Sequence, residues 1–306
     1  MNDREALLDE LRPTSFAIAY RMLGSVSEAE DVVQEALLRV HQSLDRGEEI
    51  ASPRAFVATV TTRLAINELH SARARRELYV GEWLPEPIIT DAADDPVVHA
   101  ETADSLSLAM LVLLESLSPE QRAVLLLRDV FAYGYPEISQ IVGKREENVR
   151  QLATRARQQV KARRPRFTTT REQQRELAHR FFAAAEHGDF AGLEALLAHD
   201  VELTGDGGGK VPALARSLHG RSRVAGTVMK WLQLVAKYPQ QVSMRSVEVN
   251  GGPGAIFLDD QERLLAVWAI DVNDGQIAGI RSIVNPDKLA HLGPVGDARS
   301  LLRSPR

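Results

Sequence analysis

Arg145, Glu146, Glu147, Asn148, Arg150, Gln151, Arg155 and Arg157 crowd one short stretch of the chain, and together they offer the chemistry of nucleic-acid recognition. Amide and guanidinium groups can reach base edges, while arginines also hold phosphate oxygens. The stretch lies in YPEISQIVGKREENVRQLATRAR, residues 135–157, where Ile138, Ile141 and Val142 face Val149 and Leu152 across Gly143. Two short amphipathic helices meeting at a glycine form the pattern of a helix-turn-helix, because a Cβ would clash at the tight turn. From Tyr135 to Arg166 nine Lys/Arg stand against three Glu, in a chain whose net charge is −5. A helical hairpin with a solvated charged face is the bland alternative. The basic run through Lys161, Arg163, Arg164 and Arg166 favours a nucleic-acid surface.

Two earlier helices carry further polar faces. Residues 54–77 begin apolar and end as RLAINELHSARARRE, turning basic along their length. Cations in the last turns suit the helix dipole. The functional reading lays this helix against DNA, with Arg63 and Asn67 near bases and Arg73, Arg75 and Arg76 on phosphate. Upstream, Ala29, Val32, Val33, Ala36, Leu37, Val40 and Leu44 repeat as one face of a long helix. Ser27 and Glu30 are expected to open it as a capping box. Its other face shows Glu30, Asp31, Gln34, Glu35 and Arg39, which by themselves read as ordinary solvated charges.

The elements that must position these groups follow from composition and punctuation. A chain of 306 residues, 44% hydrophobic and 26% charged, holds roughly two or three domains. The absence of cysteine excludes disulfides and thiolate metal sites and fits a reducing cytosol. No apolar signal region and no membrane-length apolar run occur, so a soluble, cytoplasmic protein is expected. Asp45–Pro53 is a polar break. Between Glu77 and Gln121 lie ten Asp/Glu and no Lys or Arg, and Gly81–Pro96 reads as an acidic linker. Inside it Trp83-Leu84-Pro85-Glu86-Pro87 is more than a flexible tether requires. The tether could separate two basic surfaces or lie over one of them. The helical pattern returns from Thr102, and Ser118, Pro119 and Gln121 cap the apolar helix QRAVLLLRDVFA.

From residue 171 the character changes. Two helices, REQQRELAHRFFAAAEHGD and FAGLEALLAHD, precede a strand, VELTGD, and the glycine run Gly207-Gly208-Gly209-Lys210. A helix over Arg223–Lys237 and a meander of four strands complete an α+β domain with helices on one face of a curved antiparallel sheet. His179, Asp206, His219, Trp231, Trp268 and Asp271 are the residues there with acid/base or binding chemistry, but nothing in their spacing fixes a catalytic pair. Asp206–Lys210 fits an anion-holding nest or a permissive turn.

With these residues in hand, the first 165 resemble a bacterial RNA polymerase sigma factor of the extracytoplasmic-function group. EAEDVVQEALLR (Glu28–Arg39) looks like the signature helix of its promoter-melting domain. The basic helix, a tether and the SPEQRAVLLLRDVFAYGYPEIS…VGKREENVRQLATRAR block follow in the expected order. The remainder resembles a SnoaL-like domain, which a subgroup of these factors carries. WLPEP (Trp83–Pro87), DGGGK (Asp206–Lys210) and NPDKL (Asn285–Leu289) look like that subgroup's motifs.

The resemblance implies two all-α sigma domains, the second with the helix-turn-helix, plus a C-terminal α+β SnoaL-like cone. Residues 1–78 would be sigma domain two, 79–101 the acidic linker, 102–166 sigma domain four, 170–290 the regulatory domain and 291–306 a tail. Asp31, Gln34, Glu35 and Arg39 would face the clamp helices of the polymerase largest subunit. Arg63, Asn67, Arg73, Arg75 and Arg76 would meet the minus-ten element, and residues 45–53 would sit where a flipped base is captured. Arg145, Glu146, Glu147, Asn148, Arg150, Gln151 and Arg155 would enter the major groove at the minus-thirty-five element. Glu146 and Glu147 either suit the helix dipole or accept from cytosine amino groups. His41 and Thr62 depart from the group, which commonly has Trp and Arg there. Trp83, Leu84, Pro85, Asp206, Gly207, Gly208, Gly209, Lys210, Asn285, Pro286 and Asp287 would make regulatory contacts in place of a separate anti-sigma protein. RNA polymerase core and promoter DNA are the implied partners. No cofactor, metal, membrane or catalysis is expected. Two other readings stay open: a helix-turn-helix regulator with a ligand-sensing C-terminal domain, and a SnoaL-like enzyme fused to a DNA-binding module.

Overall fold

Gly24, at a φ of +67°, ends the first helix and hands the chain to Ser25, whose extended backbone and side chain open the second. Ser25 Oγ accepts from the Glu28 amide at 3.2 Å. The cap is therefore Ser25, not the expected Ser27; both serines precede glutamates, and only the glycine upstream separates them. The computed structural model describes residues 3–90, 106–161, 169–236 and 242–299. The acidic stretch 91–105, the basic run 162–168 and the tail from 300 lie outside the described residues.

The described residues divide into two compact units. One holds those up to Leu78 together with 111–161, the other Tyr79–Met110 together with those from 169 onward. This grouping assigns the linker to the C-terminal unit.

In the first unit, α1 (Asp3–Leu23), α2 (Val26–Asp45) and α3 (Pro53–Glu77) pack around Leu11, Ala36, Val40 and Val57. The stripe read from the sequence supplies α2's buried side. After α4 (Leu108–Leu114), whose first three residues fall in the second unit, Ser118 opens α5 (Pro119–Asp129) with the expected capping box. Then come α6 (Tyr135–Val142) and α7 (Glu146–Lys161), joined through Gly143 in the left-handed region. Val124, Leu127, Ile138, Ile141, Val149 and Ala153 form their shared core.

The second unit packs α8 (Arg171–Glu186), α9 (Phe190–Leu196) and α10 (Arg221–Ala236) against a six-stranded sheet. Its strands are β1 (Leu197–Asp206), β2 (Leu218–His219), β3 (Val242–Val249), β4 (Gly252–Asp259), β5 (Leu264–Asn273) and β6 (Gln276–Ile283), in the order β2-β1-β6-β5-β4-β3. The sheet is mixed, since β1 runs parallel to β6 while every other pair is antiparallel. Leu197–Asp200, expected at the end of a helix, instead starts β1, where Leu197 and Val201 are buried. A short helix, α11 (Pro286–Leu289), follows β6.

Aromatic rings fill the space between helices and sheet. Phe257, Trp231 and Phe182 lie 5.1, 6.0 and 6.5 Å from Trp268, centroid to centroid. The WLPEP segment, which the sequence marks as more than a flexible tether, is a strap. Ile89 pairs antiparallel with Val249, the Thr90 amide donates to Glu248 O at 2.9 Å, and the Asn250 amide donates to Ile88 O at 2.8 Å. The strap thus extends the sheet beyond the end of β3. Among the described residues no helix is long and apolar enough to cross a membrane.

Candidate functional site

The helix-turn-helix presents its polar face as the sequence suggested. Ile138, Ile141 and Val149 are buried, whereas Arg145, Glu147, Asn148, Arg150, Gln151 and Arg155 are exposed and Glu146 is half-buried. The turn is fixed twice. Gly143 has a φ of +64°, and Ser139 Oγ donates to Lys144 O at 2.6 Å. Glu146 accepts from Arg150 one turn on, so at least this carboxylate serves the helix internally in the free protein.

On α2, Asp31, Gln34 and Arg39 are exposed and Glu35 is half-buried, with Arg39 Nε donating to Glu35 at 2.7 Å. Leu38, which the sequence reading passed over, is 48% exposed in their midst. His41 pairs with Asp45 at 3.2 Å. Thr62 is fully buried, so the arginine common at that position could not be accommodated without repacking.

The basic helix behaves differently. Asn67 is exposed, but Arg63 donates to the carbonyls of Gln140 and Ile141 at 2.8 Å each, covering the end of α6. Arg76 donates to Leu23 O at 2.5 Å and pairs with Glu115. Arg73 and Arg75 stand on the last turns of α3; their side chains are outside the described set. Arg122, buried in the first unit, joins the same cluster through Met22 O at 2.5 Å, Leu114 O at 3.0 Å and Glu115 at 2.7 Å. Two arginines expected on DNA are thus engaged by protein in this structure.

In the second unit the three motif-like segments meet at one carboxylate. Asp206 ends β1 with no solvent exposure. Its Oδ1 accepts from Tyr79 Oη at 2.5 Å and the Gly208 amide at 3.1 Å. Its Oδ2 accepts from the Leu84 amide at 2.8 Å and Lys288 Nζ at 2.6 Å. Lys288 also donates to Leu84 O and lies over the rings of Trp83 at 4.2 Å and Tyr79 at 4.8 Å. Asn285 donates to Tyr79 Oη at 2.8 Å and caps α11 through the Asp287 amide. Lys210 and Asp287 form an exposed pair at the rim.

The glycines explain themselves. Gly208 and Gly209 have φ of +56° and +69°, and a Cβ on them would meet Asn285 and Val80 respectively. Because Gly208's amide already serves Asp206, this loop is a packing turn rather than an anion nest. Tyr79, Lys288, Asn250 and His291, whose Nε2 lies 2.8 Å from Pro87 O, were missed by the sequence reading. Lys288 lies within Asn285–Leu289, but Tyr79 has no local signal in the sequence.

Burial, and next the Asp206 carboxylate, raise the pKa of the Tyr79 phenol. A folded state that binds this proton more tightly is fully stabilised below the ordinary value of 10 and loses stability as pH climbs above it. Tyr79→Phe should therefore weaken the second unit at neutral pH yet flatten its loss between about pH 9 and about 11. Denaturant midpoints across that range check this.

The residues weighed for acid/base chemistry do not converge. His179 and His219 are exposed, Trp231 and Trp268 belong to the packed interior, and Asp206 is consumed by the hub. Asp271 pairs with Arg281, whose pKa burial lowers to about 10. Among the described residues no cluster of metal-ligating side chains occurs.

Comparison with known proteins agrees with the two-part organisation. Residues 7–75 match the family described as Sigma-70 region 2, and residues 107–160 match Sigma-70, region 4. The chain is similar to the ECF RNA polymerase sigma factor SigJ of Mycobacterium tuberculosis, with 38% identity over 92% of this chain and 91% of that protein. SigG of the same species is 30% identical over 83% of this chain and 72% of its own length. The crystal structure of the M. tuberculosis extracytoplasmic function sigma factor SigJ superposes with a TM-score of 0.74 at 36% identity, covering 92% of this chain and 96% of that one.

Proposed function

Because the chain belongs to the extracytoplasmic-function group of RNA polymerase sigma factors, directing the core enzyme to promoters, we propose residue roles and a mode of control for it. Asp31, Gln34, Glu35, Leu38 and Arg39 dock on the polymerase core. Asn67, Arg63, Arg73, Arg75 and Arg76 meet the minus-ten element, and the exposed face of α7 reads the minus-thirty-five element. The observation that carries this reading is α7 itself: Glu147, Asn148, Arg150, Gln151 and Arg155 stand in solvent on a helix whose opposite side is a closed apolar core. Such a face meets a major groove without unfolding anything.

The C-terminal domain acts in cis. Its hub binds the strap by backbone and side chain, so residues 79–90 of the covalent path between the two helical regions are gripped. In this reading no separate anti-sigma protein is required, the protein works in the cytoplasm, and no reaction is catalysed. The aromatic filling of the cone favours a structural role over a substrate pocket. Arg63, which donates to the Gln140 and Ile141 carbonyls in the free protein, must leave them before it can touch DNA.

Run-off transcription with purified core polymerase and a promoter library tests the proposal, comparing full-length protein with residues 1–168. The expected result is promoter-selective transcription by the full chain and an altered output from the truncated one. Equal output from both removes the cis control. Selective duplex binding as a dimer on paired half-sites, with no association with core, would instead establish a free-standing regulator.

A further inference from the structure

Tyr135 stands on the first turn of α6, outside the recognition helix. Its ring is half-buried against the core built by Ile138, Ile141 and Val149. Three arginines converge on it. The guanidinium carbons of Arg150 and Arg128 lie 4.3 and 4.9 Å from the ring centroid. Arg157 Nη1 donates a long hydrogen bond to Tyr135 Oη at 3.4 Å.

The three are not held alike. Arg157 is fixed by both oxygens of Asp129, and Arg128 donates to Tyr133 O at 2.9 Å. Arg150 has a partner on its own helix, Glu146, in an exposed pair one turn away. Such pairs constrain a long side chain weakly. From outside α7, the Tyr135 ring packs against the Arg150 guanidinium, and the ring face is rooted in the core. An arginine carries much rotamer freedom, and bidentate recognition of a guanine edge needs its plane fixed. A guanidinium held in place before DNA arrives loses less on binding.

We propose that Tyr135 is a positioning residue: its ring sets the Arg150 guanidinium for base reading at the minus-thirty-five element without itself touching DNA. The inference rests on the reading of α7 as the recognition helix. Glu146 and the ring then divide the work, one steering the guanidinium along the helix and the other holding it over α6.

The test uses holoenzyme reconstituted from the full chain and core polymerase, with selection from a library randomised over the minus-thirty-five element. The variants are Tyr135→Phe, Tyr135→Leu, Arg150→Ala and the Tyr135→Leu/Arg150→Ala double, each checked by thermal melting. Tyr135→Phe keeps the ring and should select like the parent. Tyr135→Leu should bind about two- to fivefold more weakly, the range of an exposed cation–π contact. It should also relax preference at the same base position as Arg150→Ala. In the Arg150→Ala background the leucine change should add almost nothing. An undiminished leucine penalty in that background, or unaltered selectivity in Tyr135→Leu, would overturn the proposal. A parent holoenzyme without minus-thirty-five selection would instead overturn the reading of α7, and the positioning role with it.

Discussion

Asp206→Ala should lower the stability of the second unit by about 3–5 kcal/mol, the usual cost of leaving one member of a buried ion pair alone. The carboxylate has no solvent exposure and four donors: Tyr79 Oη, the Leu84 and Gly208 amides, and Lys288 Nζ. Lys288 is 6% exposed, so the change removes the carboxylate from a buried ammonium that also meets Leu84 O and two ring faces. Because Tyr79 and Leu84 lie on the strap, the same change should expose residues 79–90 to protease at concentrations the parent resists. Asp206→Asn preserves shape and removes charge, so it should cost nearly as much. Adding Lys288→Met to Asp206→Asn should recover most of the loss, since a buried pair replaced as a pair is tolerated far better than one broken. Denaturant unfolding with separate probes for the two units, together with limited proteolysis, reads all three. An Asp206→Ala protein that melts like the parent and keeps a protected strap would mean the segment is held by its sheet pairing alone.

That hub also marks where reading the sequence stopped. The stripe on α2 and the helix-turn-helix were legible because their signals are local: apolar residues three and four apart, and a glycine at the turn. The capping box at Ser118 was legible for the same reason. The strap was legible only in part: Trp83–Pro87 stood out as more than a tether, but its partners did not. Gly81–Pro96 has the proline and acid content of a loose linker, and the order of residues 81–90 comes from Asp206, Asn250, Lys288 and His291, at separations such as the 162 residues between Ile88 and Asn250. The parallel pairing of β1 with β6 is equally non-local, so a meander reading made the sheet wholly antiparallel. WLPEP, DGGGK and NPDKL were recognisable as segments, but only the fold explains which atoms do the holding. Their common centre is one buried carboxylate, Asp206, which stood out as a motif residue without showing which donors it would gather.

The arginines of α3 illustrate a second limit, because charge in a sequence does not say what it faces. Arg63 and Arg76 are as basic as their neighbours, yet each is bound to backbone carbonyls of another helix. Helix ends leave carbonyls without intrahelical donors, and a guanidinium with five N–H groups can satisfy several at once. The same chemistry suits phosphate oxygens. Under the proposed minus-ten role, a protein acceptor and a DNA acceptor are alternatives for these side chains, and in this structure they take the first.

Arg122→Met should be the most damaging single change in the first unit, again by about 3–5 kcal/mol. The side chain is 2% exposed and joins residues far apart in sequence, reaching Met22 O and Leu114 O in the last turns of α1 and α4 and one oxygen of Glu115. Burial lowers its pKa, and the Glu115 carboxylate opposes that shift. Methionine fills much of the volume but donates nothing, so two helix-end carbonyls lose their partner inside the protein. Each such orphan costs about 1–3 kcal/mol. Glu115 retains Arg76, which limits the damage on that side. Arg122→Lys keeps the charge but lacks the planar fork that meets three acceptors together, so it should restore only part of the loss. Urea unfolding followed on the first unit should show the midpoint falling in the order parent, Arg122→Lys, Arg122→Met, with the second unit's transition unmoved. If Arg122→Met unfolds at the parent's midpoint, the helix ends are satisfied without this guanidinium, and the cluster around Glu115 is held by Arg76.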